Sequence, residues 1–342
     1  MLLMKTRYII ILLLTALIFP MSMEAQKKKG ATRKKTNTAV QQGIKIDPNL
    51  SADELWDKFR EAVEAGRHKE AVTYVRHAAD KGHKYACYIL GISYYFETSK
   101  KTSFTTNSIK DDKDIVFKYK AGDFGIQQPD YDKAICYLKT SADNGYSSAY
   151  GVISLCYEAK KDEKTAFDWA KKGVDKGDVD AMRLYGDDLL YGTGCVANPA
   201  EGIKWLRTAV EKGDKSSTFL LGLYYHISDE YAKAAYWLHR FLSHEPGHYE
   251  TCYRLAYLYC YGDGVPKDRD KSFIYIKTAY EKCDDISFSY HCLYFLAVHY
   301  ENGWGVAKST DEARRLFTKV FEQTDDTDLK TKAMKHLNSL EK

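Results

Sequence analysis

The sequence is short of the residues and runs that mark several protein classes. Its 6 Pro among 342 residues exclude a collagenous chain, and 8 Cys are too few for a disulfide-dense scaffold. The longest apolar run, Tyr8 to Phe19 with Thr15 inside it, falls short of the ~20 residues that cross hydrocarbon. There is no G-x-S-x-G and no G-K-[ST], which removes the sequence signatures of the serine-hydrolase elbow and the phosphate loop. The one H-E-x-x-H, His244-Glu245-Pro246-Gly247-His248, carries a Pro-Gly pair that breaks the helix a zincin needs. S-x-x-K occurs only from Ser339 to Lys342, at the extreme end. A hydrophobic content of 44% excludes both wholesale disorder and a multi-span membrane protein. Tyrosine is abundant instead, with 28 residues against 14 Phe.

The net charge of +4 is unevenly placed. Lys5 and Arg7 precede the apolar run, and Pro20 with small or polar residues follows it, the order of a secretory signal peptide over residues 1–25. Cleavage is expected after Ala25, despite Met23 at the −3 position, and the competing reading is an uncleaved anchor. No Cys lies near that site, which removes the lipoprotein route. Residues 26–50 read as a basic disordered tether, with Lys27, Lys28, Lys29, Arg33, Lys34, Lys35 and Lys45 and no acid through residue 46. Such an arm has the charge for peripheral contact with lipid headgroups through residues 26–46, and equally serves as a spacer. Residues 1–46 hold nine bases against the single acid Glu24, so the remainder carries four more acids than bases. The positive charge therefore lies outside the folded part, and no nucleic-acid partner is expected.

From about Ser51 the sequence aligns with itself. A small residue stands four before a large one at Ala86/Leu90, Ala149/Ile153, Ala181/Tyr185, Ser217/Leu221, Thr251/Leu255 and Cys292/Leu296, which places each pair on one helical face. A second series sets a small residue three before an aromatic or apolar one: Ala71/Tyr74, Ala134/Tyr137, Ala166/Trp169, Gly202/Trp205, Ala234/Trp237, Ser272/Tyr275 and Ala313/Leu316. From the second anchor to the next first anchor the distance is 19 residues four times (71 to 90, 134 to 153, 166 to 185, 202 to 221), then 21 and 24. Within a unit it is 17 where a Gly-x-Gly turn is present (185 to 202, 255 to 272, 296 to 313) and 13 where the turn is missing (153 to 166, 221 to 234). A deletion of about one helical turn keeps the faces in register, so the spacing predicts an all-α, α/α solenoid over residues 51–342, six units and a half-unit. The separation of 40 residues from Tyr94 to Ala134 marks an insert at about 97–129, read either as a partner-binding loop or as a tolerated excursion. Residues 326–341 read as a polar-faced capping helix.

These positions resemble the Sel1-like repeat (SLR) family of the tetratricopeptide-like superfamily, above all in 181–213, 251–283 and 292–320. The resemblance covers about residues 51–324 and departs from the family pattern at Gly202 and Ser272 for Ala, at Cys195 for Val and in the lost turns. It implies a right-handed superhelix of helix-turn-helix repeats whose first helices line a concave, noncatalytic partner-binding face. Cysteine-rich secreted members bridge the end of one helix to the start of the next. Cys87 and Cys252 hold the family-like position, but the upstream partner positions are Ala79 and Phe241-Leu242. Cys283 and Cys292 form the one pair worth testing for a disulfide, against a reading of all eight as free thiols. Some secreted members have been linked to penicillin binding, so a cell-wall or β-lactam hydrolase is one rival function and an envelope lipid or glycan binder another.

Other chemistry is sparse. His239, His244 and His248, with Glu245 and His226 nearby, include the H-E-x-x-H spacing at 244–248, but Pro246 and Gly247 keep its two histidines off one helical face. No cofactor, metal or catalytic residue is expected, and the oligomeric state is not legible. What remains is a stripe two before and two or five after each large first-helix anchor. It runs through Tyr88, Tyr95, Arg183, Asp187, Phe219, Tyr253, Tyr257 and Tyr294. Tyrosine offers rigid contact area with a polar tip, suited to a protein or peptide partner. The reading is an exported scaffold, periplasmic or extracellular in a bacterial envelope, that loses its partner with Tyr253→Ala plus Tyr257→Ala.

Overall fold

The computed structural model describes residues 45–96, 104–105, 118–119 and 121–341. The expected signal peptide, the tether up to residue 44 and most of the insert between 97 and 120 lie outside the described residues.

Fifteen helices occur among the described residues: α1 (Ala52–Glu64), α2 (His68–Asp80), α3 (Lys84–Tyr95), α4 (Tyr131–Asp143), α5 (Ala149–Ala159), α6 (Glu163–Asp175), α7 (Val179–Tyr191), α8 (Pro199–Glu211), α9 (Lys215–Ile227), α10 (Tyr231–His244), α11 (Tyr249–Tyr261), α12 (Arg269–Lys282), α13 (Ile286–Asn302), α14 (Thr310–Gln323) and α15 (Thr327–Leu340). Between α3 and α4 lie β1 (Phe104–Thr105) and β2 (Lys118–Tyr119), a short antiparallel ladder, then a 3-10 turn at Ala121–Phe124. The fold is an all-α array of helical hairpins. No described helix is long and apolar enough to cross a membrane.

Local chemistry sets where these helices start and stop. Asp130, Asp162, Asp214, Asp268, Asp285 and Ser309 each accept a backbone N–H of the first turn that follows, satisfying a donor the helix leaves open. Ser51 and Glu54 form a full capping box at α1. Gly192, Gly262 and Gly303 end α7, α11 and α13 in the left-handed conformation. The second glycine of each Gly-x-Gly turn is needed twice over. Gly194, Gly264 and Gly305 have φ of +67°, +68° and +66°, and an added Cβ would come within 2.2, 2.2 and 2.1 Å of backbone atoms of Glu163, Ala232 and Arg269. Each turn is thus pressed on the first turn of the preceding second helix. Where the turn is deleted, Lys161 and Asp229 take positive φ in its place.

The helices pair as α1/α2, α3/α4, α5/α6, α9/α10, α11/α12 and α13/α14, and α15 packs on α14. The repeat anchors form the core: Leu90, Ile153, Leu221, Leu255, Ala71, Ala134, Ala166, Ala234 and Ala313 are all buried. Gly91 admits Leu138, whose Cγ would lie 2.5 Å from an added Cβ. Ser272, where the repeat favours Ala, is also fully buried, and its hydroxyl is satisfied by the Ala256 carbonyl at 2.6 Å. The chain divides into two compact units, one ending at Trp205 and one beginning at Leu206.

Three details differ from the sequence reading. The half-unit at the start is a complete hairpin: α1 buries Leu55, Trp56, Phe59 and Ala62 against α2. The repeat pattern does not mark α1, because Leu55 stands four before Phe59, with no small residue in the pair. The tether reading extends too far, since residues 45–50 are placed, with Ile46 and Leu50 packed on the core and Lys81 Nζ donating to the Pro48 and Leu50 carbonyls. The end of the insert is core as well, because Tyr119, Ala121, Phe124 and Ile126 are buried.

Candidate partner-binding site

The predicted stripe divides by unit. In the first unit Tyr88 is 5% exposed, edge-on to Tyr146 at 4.8 Å, and burial holds its hydroxyl well above the usual tyrosine range. Tyr119 of the insert stands among the groups around it and reaches Ser93 on the same helix. Tyr95 packs between Phe96 and Tyr131, at 4.9 and 6.0 Å, with its pKa likewise raised by burial. Arg183 is 2% exposed and its Nη2 donates to Asp180 Oδ1 at 3.3 Å, while Asp187 is also buried. Beside them Asp178 accepts the N–H groups of Gly151 (2.7 Å) and Asp180 (3.0 Å), capping α5 and α7 with one carboxylate. Burial, then the nearby Asp180 charge, pushes its pKa up to about 7 against those hydrogen bonds.

In the second unit Phe219 is buried between Phe241 and His248, and Tyr294 is engaged by Phe317 and by His336, whose Nε2 lies 3.0 Å from its hydroxyl. As solvent-facing contacts, Tyr88, Arg183, Asp187 and Phe219 are therefore corrected to core positions, Tyr95 to a half-buried ring held by Phe96 and Tyr131, and Tyr294 to a brace for α15. The two tyrosines left are different. Tyr253 is half-buried against Phe288 (5.2 Å) and Phe295 (6.0 Å), and Tyr257 is 39% exposed.

Around Tyr257 the structure assembles an aromatic shelf. Tyr261, one turn on and 46% exposed, stands 4.6 Å from Tyr257 between ring centroids. It lies parallel to Phe295 at 6.5 Å and edge-on to Trp304 at 6.4 Å. The Arg269 guanidinium covers the Trp304 ring at 4.3 Å, the closest cation–π contact of the group. His226 closes the other side, 6.2 Å from Tyr257. Burial, then the Arg254 charge, lowers its pKa to about 4, so it is neutral at pH 7. The shelf is therefore apolar in body and uncharged at that edge, with tyrosine hydroxyls at its surface. Tyr261 was legible as the next i, i+4 step from Tyr257, whereas Trp304 sits inside a Gly-x-Gly turn that the sequence presents as purely structural.

The reactive side chains do not converge. Among the described residues no three His, Cys, Asp or Glu are placed to hold a metal ion. His239 faces the Tyr259 hydroxyl at 3.0 Å, and His248 caps α11 through Thr251. All eight cysteines are free thiols: Cys87 donates to the Ala79 carbonyl at 3.3 Å, and Cys292 hydrogen-bonds to Cys283.

The Sel1 repeat profile matches residues 119–146, 150–178, 179–214, 250–282 and 291–325. The chain thus carries five Sel1 repeats, and its fold is that of the Sel1-like repeat solenoids. A protective antigen of uropathogenic Escherichia coli with an SLR fold superposes with a TM-score of 0.63 at 19% identity, over 85% of this chain and 57% of that one. This chain thus spans little more than half the length of that relative. A Sel1 repeat protein of Oxalobacter formigenes aligns at 24% identity over 62% of this chain and 83% of its own, with a TM-score of 0.49. The fold is one typical of protein-interaction scaffolds and is generally noncatalytic.

Proposed function

We propose that this protein is an exported, noncatalytic scaffold that holds a protein or peptide segment on the aromatic shelf of its second unit. The observation that carries the reading is the exposure of Tyr257 and Tyr261 as one contiguous aromatic cluster beside Trp304. Rigid rings with polar tips give large contact area at little cost in side-chain ordering. The partner is best matched by a segment with apolar or aromatic side chains and free backbone groups for the tyrosine hydroxyls. Export is read from residues 1–25, and sequencing the mature chain should find Gln26 first.

The test is a photo-crosslinking residue at position 257 or 261 in the native envelope, with Ile274, 62% exposed on the second helix α12, as the control position. A specific adduct at 257 and 261 that is absent at 274 supports the reading. Tyr257→Ala with Tyr261→Ala should remove that partner while the thermal melt is unchanged. Equal adducts at all three positions would sink the idea.

A further inference from the structure

The second helices of the second unit carry a surface of opposite character. A groove of about 540 Å³ runs between Arg207 and Glu211 on α8 and Lys233, Tyr236, Trp237 and Arg240 on α10. Its floor is Trp237, only 7% exposed, with Tyr236 edge-on to it at 5.2 Å and 60% exposed. Two guanidiniums lie over the same indole, Arg240 at 5.3 Å and Arg207 at 5.9 Å. Among the described residues neither has a carboxylate at salt-bridge distance; besides the indole, Arg207 reaches the Tyr225 hydroxyl, at 3.5 Å. Two like charges are thus gathered on one ring without a counter-ion. The lining holds three bases and one acid, although residues 47–342 as a whole have four more acids than bases.

We propose that this groove binds an acidic peptide segment of a partner. Guanidinium forks match carboxylates in bidentate geometry, and the cation–π seat holds them ready for it. Lys233 is already paired with Glu230, so the two guanidiniums are the charges left to answer. Two Asp or Glu close together in a short stretch match them. A nucleic acid would call for a basic stripe, whereas this is one bounded groove in a unit of nearly balanced charge. The surface lies on second helices and does not depend on the tyrosine shelf.

Fluorescence anisotropy of the mature chain with a labelled Glu/Gly/Ser peptide tests this, with the Gln counterpart as the control. The acidic peptide should bind, weaken steeply with salt, and lose about tenfold or more in affinity in Arg207→Gln/Arg240→Gln. Arg207→Lys/Arg240→Lys keeps the charge but not the planar fork, so it should fold normally and still bind several-fold more weakly. Tyr257→Ala should leave this binding unchanged, which separates the two surfaces. Equal binding of the Gln peptide, equal weakening by Lys267→Gln, or tighter binding of an oligonucleotide or an anionic vesicle would each overturn the proposal.

Discussion

Two residues at one address in the repeat, two after the large first-helix anchor, are Asp187 in the first unit and Tyr257 in the second. Asp187 is 9% exposed and Tyr257 is 39% exposed. Two before the anchor, Tyr88 is in the core, and Tyr253 is only half-covered. The first unit supplies its own cover, because Tyr119 from the insert and Tyr146 surround Tyr88. In the second unit Phe288 and Phe295 support the tyrosines from the side and leave Tyr257 and Tyr261 open. A repeat position thus fixes which way a side chain points, and the neighbouring chain decides whether it meets water.

The contrast is most easily broken by stability. Tyr88→Ala removes a buried ring and should cost about 3–5 kcal/mol in urea denaturation, whereas Tyr257→Ala should stay within about 0.5 kcal/mol. Similar losses at both sites would show that the two surfaces are equally closed.

Charge burial gives the next largest effect. Asp178 titrates near 7 in the folded protein against an ordinary value of 3.8, so the fold favours its neutral form. Its contribution is fully present below about pH 4 and is lost as the pH rises through 7, a swing on the order of 4 kcal/mol. Asp178→Asn should flatten that part of the stability curve. His226, His248 and His299, kept neutral by burial, act in the opposite sense, losing stability as the pH falls. The difference between Asp178→Asn and the parent protein is therefore the readout, and identical pH profiles would remove the assignment.

The hairpin array was legible because its period survives substitution: the 19-, 17- and 13-residue spacings fixed the helices and even the shortened turns. What escaped was whatever breaks or ends the period. A terminal helix packs on one side only, so α1 needs no small residue for a neighbour's approach, and Leu55 and Phe59 carry no repeat signature. Tyr119 and Phe124 belong to an insert, where periodicity is silent about burial. The site was half legible: the stripe named Tyr253 and Tyr257, but it could not show that Phe219 would meet Phe241 and His248 in the core. Trp304 was hidden by the turn glycines on either side of it.

The thiols sharpen the comparison at the helix-to-helix turns. Burial pushes the Cys87 thiol up to about 12, and its S–H is held by Ala79. Cys283 is shifted down, first by the hydrogen bond from Cys292. Alkylation at pH 8 should therefore modify Cys283 at least tenfold faster than Cys87, since only the thiolate reacts. Peptide mapping after timed quenching measures the ratio, and a ratio near one would contradict the arrangement.

The smallest effect concerns the two turns that lost their Gly-x-Gly. Lys161 in the first unit and Asp229 in the second both sit at positive φ, +63° and +57°, and both are exposed, so side-chain burial does not decide the outcome. For lysine this conformation costs on the order of 1 kcal/mol, because Cβ crowds the following carbonyl. Lys161→Gly relieves that strain but loosens the unfolded chain, for a net gain of roughly 0.5 kcal/mol. Aspartate tolerates the left-handed region better. Asp229 also accepts the Tyr231 hydroxyl at 2.6 Å, and Tyr231 in turn packs edge-on to His226 at the border of the aromatic shelf. Asp229→Gly should therefore gain nothing or lose slightly, and it should weaken partner capture where Lys161→Gly does not. Matched stabilisation at both turns, with capture intact, would mean that Asp229 is only a turn residue and that the shelf ends at Tyr257.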